Sequence, residues 1–351
     1  MIDFSATLSE VFGPVQTARV SKLKGEVSTR AYYRVELAPR SGVPASLVVM
    51  QLPEPFAAGS VVEAQARAFL DVRSYLQTIG IPVPEYHGSS FERGQLLLED
   101  LGDLTFEARL RRDGPESLPA AYAHAVDQLA DLHARAEPPQ PAAACIAFRR
   151  RYDAALLRSE LDHFREWGLE APRGVLPPEV RAELDAHFDA LTAAIVALPD
   201  GFVHRDYQSR NLMWTAPQRL VVIDFQDAFI GPAPYDLVAL LCDSYVTLDY
   251  PRQRSLLERY AARRHFDAAQ RSQLLHGFDL ITLQRKLKDA GRFVFIDRVR
   301  NNADFLQFFT PSLRHVARAL DRLPEWRPLH ELLQRQMPGF PECAPPPPSA
   351  G

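Results

Sequence analysis

The sequence predicts an α+β fold with two parts: a small strand-rich part ending near residue 100 and a larger, mostly helical part. Apolar, β-branched segments separated by turns dominate the first part, and helix-spaced apolar residues dominate the second. The length of 351 residues corresponds to about two domains at roughly 150 residues each. With 46% hydrophobic residues, the chain can bury a sizeable core.

The N-terminal elements follow from short patterns. Residues 23–35 read LKGEVSTRAYYRV, which predicts a strand, a turn at 25–29 and a returning strand. The apolar segment 46–52 predicts a second strand, which prolines end. Apolar residues at helix spacing predict a helix over 61–79, and three successive leucines predict a short buried strand at 96–98.

The second part predicts mostly helices, at 122–136, 152–167, 178–198, 235–245, 252–264, 267–287 and 312–322. Two short strands interrupt them, at 201–204 and 220–223, and the polar loop 205–213 lies between these strands. The Pro-rich residues 341–351 predict a disordered tail.

Composition excludes several classes of protein. A net charge of -4 and a pI near 6.2 argue against a general nucleic-acid binder. Cys145, Cys242 and Cys343 are too few and too widely spaced for a disulfide framework or a zinc site. No signal peptide and no apolar run of about 18 residues is visible. We therefore expect a cytoplasmic protein with no membrane partner.

One segment carries the chemistry. Residues 204–211 read HRDYQSRN, and the apolar strand that follows ends in Asp224. Phosphoryl transfer needs a carboxylate that accepts a hydroxyl proton, for which Asp206 is placed. It also needs oxygen ligands that hold magnesium against nucleotide phosphates, for which Asn211 and Asp224 are placed. Each residue alone is an ordinary turn or cap residue, but their joint spacing favours phosphoryl transfer.

The chain resembles the aminoglycoside phosphotransferase family in residues 204–211, 224–225 and 231–237. Further segments are similar to one subgroup, the anomeric N-acetylmuramate/N-acetylglucosamine kinases of bacterial cell-wall recycling; these segments are 25–34, 97–103, 224–228 and 283–288. The resemblance covers most of residues 20–320. It implies a two-lobed protein-kinase-like fold, with a nucleotide-covering N-lobe over 1–100 and a C-lobe with the metal site and acceptor pocket over 101–340.

The resemblance also implies residue roles and an enzyme that uses ATP and Mg²⁺. Asp206 is implied as the catalytic base, and Asn211 and Asp224 as the magnesium ligands. The segment Glu99 to Leu101 is implied as the hinge between the lobes, whose backbone pairs with adenine.

Two further residues are implied to support the catalytic loop. Asp236 would brace this loop from the start of the next helix, although a helix N-cap is an equally good interpretation. His204 is interpreted as a packed, hydrogen-bonded loop residue and not as a proton carrier.

The sequence departs from the kinase pattern at one point. Kinases of this fold usually carry a lysine on the third strand, which here reads Leu47-Val48-Val49-Met50-Gln51. No lysine lies between Lys24 and Lys286. Glu63, early in the next helix, has no lysine to pair with and is interpreted as an exposed helix residue.

Arginines on the first hairpin are the best substitutes for this lysine. Arg30 is the first choice and Arg34 the second, since a guanidinium grips phosphate oxygens bidentately. The loop between the hairpin strands, which includes Ser28 and Thr29, is the candidate phosphate loop. It contains one glycine, so its own signal is weak.

Spacing narrows the acceptor. About ten residues separate Asp224 from Tyr235, too few for the activation segment of a protein kinase, so we expect a small-molecule acceptor. Aminoglycosides are polycations, whereas the acceptor-side helix region is basic, with Arg285, Lys286, Lys288, Arg292, Arg298 and Arg300. The acceptor candidates are Gln208, Arg210, Arg285 and Lys288.

The motifs predict an ATP-dependent small-molecule kinase that acts as a monomer, and the resemblance implies that it phosphorylates a sugar at the anomeric hydroxyl. Two alternatives stay open. One is a kinase for another small alcohol, such as an aminoglycoside, choline or homoserine. The other is a nucleotide-binding pseudokinase, which the missing strand lysine supports and the intact Asp206, Asn211 and Asp224 oppose.

Overall fold

The computed structural model describes residues 3–23, 30–53, 59–136, 145–216 and 219–347. The chain forms two compact units. Met1–Arg109 and Arg210–Asp227 form the first unit, and Leu110–Ser209 and Ala228–Gly351 form the second. The first unit therefore extends past the predicted boundary at residue 100, and it includes the segment with Asn211 and Asp224, which the sequence analysis assigned to the C-lobe.

The described residues form these strands: β1 (Thr17–Lys22), β2 (Ala31–Leu37), β3 (Ser46–Gln51), β4 (Tyr86–Ser90), β5 (Gln95–Glu99), β6 (Asp200–Val203), β7 (Leu212–Ala216), β8 (Arg219–Val222) and β9 (Phe229–Pro232). The first five make an antiparallel sheet in the order β1-β2-β3-β5-β4. β7 pairs with β8, and β6 pairs with β9, each as a separate antiparallel ribbon.

The described helices are α1 (Ser5–Phe12), α2 (Val61–Thr78), α3 (Phe106–Asp113), α4 (Leu118–Arg135), α5 (Ala154–His163), α6 (Ala171–Arg173), α7 (Pro178–Val196), α8 (Tyr235–Leu241), α9 (Tyr250–Arg263), α10 (Ala268–Arg300), α11 (Phe309–Arg322) and α12 (Arg327–Gln336). A π-helical turn, Phe164–Glu170, joins α5 to α6. No helix in the described part of the chain combines the length and apolarity needed to cross a membrane.

One face of the sheet in the first unit packs against α1 through residues that alternate along the strands. Phe4 and Leu8, at the start of α1, pack against Val35, Val49 and other inward-facing residues of β2, β3 and β5. Alternate residues of a strand point to opposite faces, so these positions form one apolar surface. The sheet thereby gives a rigid frame to the segments that leave it.

The second unit is organised around α10, which is 33 residues long, or about 50 Å at 1.5 Å per residue. Asp267 and Gln270 form a capping box at its start, and Asn301 ends it in a left-handed conformation. α10 contacts five other helices and the π-helical turn. At Gly291 it lies so close to this turn that a Cβ would be 2.8 Å from the Phe164 Cα.

Several boundaries differ from the sequence-based ones. The first strand ends at Lys22, before the predicted strand begins at residue 23, and the predicted turn at 25–29 lies outside the described residues. α10 continues past residue 287 to Arg300. The sequence-based end was too early because the helix is buried on several sides and so lacks a clear amphipathic pattern. The sequence analysis missed α1, α3, α6, α12, β1, β4, β7 and β9, all of which are short or polar.

Residues 341–347, the first part of the predicted tail, contact the rest of the second unit. Cys343 is buried, and its carbonyl accepts a hydrogen bond from the Thr310 Oγ1 of α11 at 2.9 Å. Arg314 of α11 pairs with Glu342, and Arg298 donates to the Pro347 carbonyl. All three cysteines are free and buried.

Candidate active site

The second unit contains a cavity of about 540 Å³ beside the loop that follows β6. This volume lies in the usual range for small-molecule sites, about 300–1,000 Å³. The structure brings four sequence-predicted residues into its lining: Asp206, Gln208, Arg285 and Lys288. Other lining residues come from α5, α8 and α10. The cavity is therefore formed from side chains far apart in sequence.

The Asp206 carboxylate lies in this cavity beside Arg285. Arg285 Nη2 donates to Asp206 Oδ1 at 3.2 Å, and Nη1 donates to the Arg205 carbonyl at 2.9 Å. Burial raises the pKa of Asp206, but the charges of Arg285, Lys288 and Arg205 outweigh it, so the pKa lies below the ordinary aspartate value. Asp206 is therefore an ionised carboxylate in the lining of the cavity.

Asp236 holds the backbone of the loop that carries Asp206. Its Oδ2 accepts the His204 N–H at 2.7 Å, and its Oδ1 accepts the Arg205 N–H at 2.9 Å. Arg205 has φ 82°, a conformation that costs energy for a residue with a Cβ. Asp236 is the second residue of α8, within the helix, so the N-cap interpretation is wrong and the bracing one is supported by this geometry.

His204 supports the same loop. It is fully buried, and its Nδ1 accepts the Asp206 N–H at 3.2 Å. His133 Nε2 lies 3.3 Å from Asp236 Oδ2, which adds a partner for the buried carboxylate. These contacts agree with the interpretation of His204 as a packed loop residue.

A second carboxyl group anchors the loop, and sequence reasoning missed it. Asp243 accepts the Ser209 N–H at 2.8 Å and the Tyr245 N–H at 3.0 Å. Burial raises its pKa. Asp243 follows α8 in a segment with no motif, so only the tertiary contact reveals its role.

The cations of α10 form a network on the cavity wall. Lys286 Nζ donates to Asp289 Oδ2 at 2.9 Å, and Lys288 Nζ lies 3.4 Å from the Tyr235 hydroxyl and 3.8 Å from Glu160 Oε1. Asp289 is buried, which raises its pKa, but the nearby cations lower it to about 2. Five cationic side chains and four carboxyl groups line the cavity, so its charge suits a neutral or anionic molecule.

In the first unit, the β7–β8 ribbon brings Asn211 and Asp224 together. Leu212 pairs with Val222, so the residue before β7 and the residues after β8 lie at the same end. Asn211 Nδ2 donates to Asp224 Oδ2 at 3.4 Å, and Asp224 has φ 62°. Phe225 is buried and stacks on Phe69 of α2 with ring centroids 5.0 Å apart, which anchors the aspartate.

The hairpin arginines have different environments. The pKa of the Tyr32 hydroxyl is raised, mainly by burial. The charge of Arg30 lowers this pKa and the charge of Asp224 raises it, so both charged groups act on Tyr32 within the first unit. Arg34 instead binds Asp100 at 2.8 Å and Asp103 at 2.9 Å. Arg34 is therefore bound to two carboxylates, and its second-choice role in place of the strand lysine stays a prediction.

Two other predicted residues also have partners elsewhere. Arg210 Nε donates to Glu107 Oε2 at 2.7 Å within the first unit, and its role as an acceptor contact stays a prediction. Glu63 accepts hydrogen bonds from Arg67 at 2.8 Å and from the Gly59 N–H at 2.7 Å, and its side chain is only 16% exposed, so it is less exposed than the sequence suggested. Ser28 and Thr29 lie outside the described residues.

The predicted hinge follows β5. The Glu99 side chain accepts from Arg219 at 2.6 Å, and Arg34 holds Asp100. Among the residues that the structure describes, the Leu101 amide and carbonyl make no hydrogen bond. The side chains before Leu101 are thus held in place while its own backbone polar groups stay available.

We predict that Asp236→Asn lowers the free energy of unfolding by about 1–3 kcal/mol, because an amide nitrogen faces one of two buried N–H donors. Chemical denaturation measures this loss. Asp249→Asn is the control, since Asp249 is an exposed N-cap at which asparagine serves as well. Equal stability of the two variants would contradict the bracing role.

Comparison with known proteins places the chain among kinases. The model of the phosphotransferase enzyme family matches residues 19–275. The N-acetylmuramate/N-acetylglucosamine kinase of Pseudomonas aeruginosa is 32% identical over 339 residues, which cover 93% of this chain and 91% of that protein. This similarity confirms the resemblance predicted from the motifs.

Solved structures show the fold. The choline kinase LicA from Streptococcus pneumoniae has a TM-score of 0.58 and 14% identity, covering 92% of this chain and 98% of its own. ADP-bound aminoglycoside phosphotransferase APH(2'')-Ib has a TM-score of 0.57 and 15% identity, covering 89% and 97%. They confirm the predicted kinase-like α+β fold. Because the family model spans more than half of the sequence, the chain belongs to the phosphotransferase enzyme family.

Proposed function

We propose that this phosphotransferase moves the γ-phosphoryl group of ATP to the anomeric hydroxyl of N-acetylmuramate and N-acetylglucosamine. The observation that carries the proposal is the cavity of about 540 Å³, which holds the ionised Asp206 among more cations than carboxyl groups. Similarity to a kinase named for these sugars supports the substrate class. The product, a sugar 1-phosphate, fits a role in cytoplasmic recycling of cell-wall sugars.

In the proposed reaction, the sugar hydroxyl binds Asp206. Its oxygen attacks the γ-phosphorus, its proton passes to the Asp206 carboxylate, and the bond from phosphorus to the β-phosphate oxygen breaks to release ADP. A carboxylate with a low pKa is a weak base. It suffices here because an anomeric hydroxyl is more acidic than an ordinary alcohol and because proton transfer is a small part of a loose transition state.

Arg285 acts through Asp206 as a positioning residue. Its guanidinium joins the carboxylate to the Arg205 carbonyl and lies 4.8 Å from the centre of the Tyr235 ring. This clamp fixes the direction of the Asp206 carboxylate. It also explains why Arg285 is fully engaged with the protein, so the sugar contacts fall to Gln208, Lys288 and the rest of the lining.

The first unit is proposed to bind the nucleotide. Arg30 would contact the phosphates in place of the missing strand lysine, helped by Ser28 and Thr29. The Glu99–Leu101 backbone would pair with adenine, which the free amide and carbonyl of Leu101 among the described residues support.

Asn211 and Asp224 fit a magnesium ion. One amide oxygen and one carboxylate at the same end of a ribbon match the ligands that Mg²⁺ takes in kinases, where phosphate oxygens and water complete the shell. Within the described residues no group of three or more His, Cys, Asp and Glu side chains forms a metal site, so an all-protein cage is not the arrangement here. When bound, the ion neutralises phosphate charge.

The alternatives are less well supported. A cavity with more cations than carboxyl groups disfavours choline and the polycationic aminoglycosides. A pseudokinase is disfavoured because Asp206 is ionised and open to the cavity and because Asn211 and Asp224 lie together. Homoserine is also a small alcohol, so it belongs in the substrate panel.

The product decides the proposal. Incubation with ATP, Mg²⁺ and each sugar should give a phosphorus NMR signal of a glycosyl phosphate. The sugar should also lose its reducing end, because the anomeric carbon becomes blocked. Aminoglycosides, choline and homoserine serve as comparison acceptors. A phosphorylated sugar that still reduces alkaline copper would overturn the anomeric assignment and leave the kinase activity standing.

We predict that Asp206→Asn lowers kcat by about 10²–10⁴-fold, the usual contribution of a positioned base. Nucleotide binding should be retained. Asp200→Asn is the matched control: Asp200 lies six residues earlier, is exposed and pairs with Arg151. Turnover of the Asp206 variant within about threefold of the parent would exclude the base role.

We predict that Arg285→Gln moves the acidic limb of the kcat/KM profile to higher pH. Arg285 lowers the pKa of Asp206, so its removal raises that pKa and the carboxylate is lost at a higher pH. Arg271→Gln is the control, because it also removes a positive charge from α10. Arg271 binds the Phe266 carbonyl, so its loss should leave the acidic limb at the same pH. If the acidic limb stays at the same pH in both variants, Arg285 does not control the titration of Asp206.

A further inference from the structure

One face of α10 forms a wall of the cavity. Arg285, Lys288 and Arg292 follow one another at spacings of three and four residues, which places them on one face of the helix. Arg292 lies one residue beyond Gly291, two turns from Arg285. At 1.5 Å per residue, the backbones of Arg285 and Arg292 are roughly 10 Å apart along the axis.

Four of the five cavity cations have a carboxylate partner. Arg285 binds Asp206 at 3.2 Å, and Lys286 binds Asp289 at 2.9 Å. Lys288 and Arg205 lie 3.8 and 3.9 Å from the Glu160 carboxylate. Each of these four side chains therefore has a carboxylate of the protein near it, although Lys288 and Arg205 share Glu160.

Arg292 differs from the other four. Within the described part of the chain, no carboxylate lies at ion-pair distance from its guanidinium, which instead lies 5.0 Å from the centre of the Phe295 ring. Burial lowers its pKa, and Arg300 lowers it further, with no anion acting in the opposite direction. A half-buried arginine in a cavity without a counter-charge is set up for an anionic ligand.

His163 marks the same region. It lines the cavity, and its ring lies 5.3 Å from the Phe295 ring. Its Nε2 is buried and has no hydrogen-bond partner among the described residues. Burial, followed by the charge of Arg292, lowers the His163 pKa, so this imidazole is neutral and offers a polar atom next to the arginine.

We propose that Arg292 binds the carboxylate of an acidic acceptor sugar and so determines how strongly the enzyme favours N-acetylmuramate over N-acetylglucosamine. This inference rests on the proposed function. The two sugars differ by one lactyl ether on the third ring carbon, which ends in a carboxylate. Arg285, which binds Asp206, and Arg292 are roughly 10 Å apart along α10, so a sugar whose anomeric hydroxyl binds Asp206 can direct its lactyl carboxylate along this wall toward Arg292.

The test compares kcat/KM for the two sugars in the parent and in Arg292→Gln. We expect the ratio for N-acetylmuramate over N-acetylglucosamine to fall about 10- to 100-fold, because a charge-assisted contact is lost for one substrate and not for the other. The change should be mainly in KM. The methyl ester of N-acetylmuramate, which lacks the charge, should show about the same ratio to N-acetylglucosamine in both proteins.

Two further variants make the result specific. Arg300→Gln removes the same charge from the exposed end of α10, outside the cavity lining, and tests whether the general field of the helix accounts for the effect. Arg292→Lys keeps the positive charge and should restore part of the preference. Circular dichroism and thermal denaturation check that each variant is folded.

The outcomes separate the inference from the proposed function. A substrate ratio in Arg292→Gln within about threefold of the parent value overturns the inference while sugar kinase activity stands. An equal fall of the ratio in Arg300→Gln also overturns it, since a direct contact is then unnecessary. A parent enzyme inactive with both sugars overturns the proposed function, and the inference with it.

Discussion

The pair of hydrogen bonds from the His204 and Arg205 amides to Asp236 is the constraint on which the site depends. A non-glycine residue at φ 82° relaxes unless its neighbours hold it, and here one buried carboxylate holds both adjacent N–H groups. The loop conformation in turn exposes Asp206 to the cavity and presents the Arg205 carbonyl to Arg285. Loss of the brace would therefore affect several contacts at once, and not a single side chain.

Local patterns were sufficient for the parts of the site that are local in sequence. Asn211 and Asp224 flank a short ribbon, so their proximity within the first unit could be predicted from spacing, and Asp206 was recognised from its place in the HRDYQSRN segment. The helices with clear apolar faces, such as α2 and α7, were predicted within about two residues at each end. α10 was underestimated because 18 of its 33 residues are buried, which removes the contrast between its faces.

Contacts between distant segments could not be predicted. Arg34 and Asp100 are 66 residues apart and meet because β3 lies between β2 and β5 in the sheet, an order that no local pattern specifies. Asp243 reaches Ser209 across 34 residues, from a segment without a motif. In the sequence, Arg292 is one of six basic residues in this region. Only the three-dimensional structure shows that its neighbours are paired with carboxylates and that Arg292 differs from them.

Gly291 has a consequence for how this cavity can evolve. Any larger residue there would push α10 away from the backbone of the turn at Phe164. α10 carries four of the cations that line the cavity, and α5 carries Glu160 and His163. The distance between α10 and the turn that follows α5 therefore depends on Gly291 having no side chain. A lineage that acquired a bulkier acceptor, such as a sugar carrying a peptide, could not make room by lengthening or shortening the lining residues alone, because the spacing of the two helices is fixed behind them. Substitution at this glycine would be one route to a wider mouth, at a cost in packing.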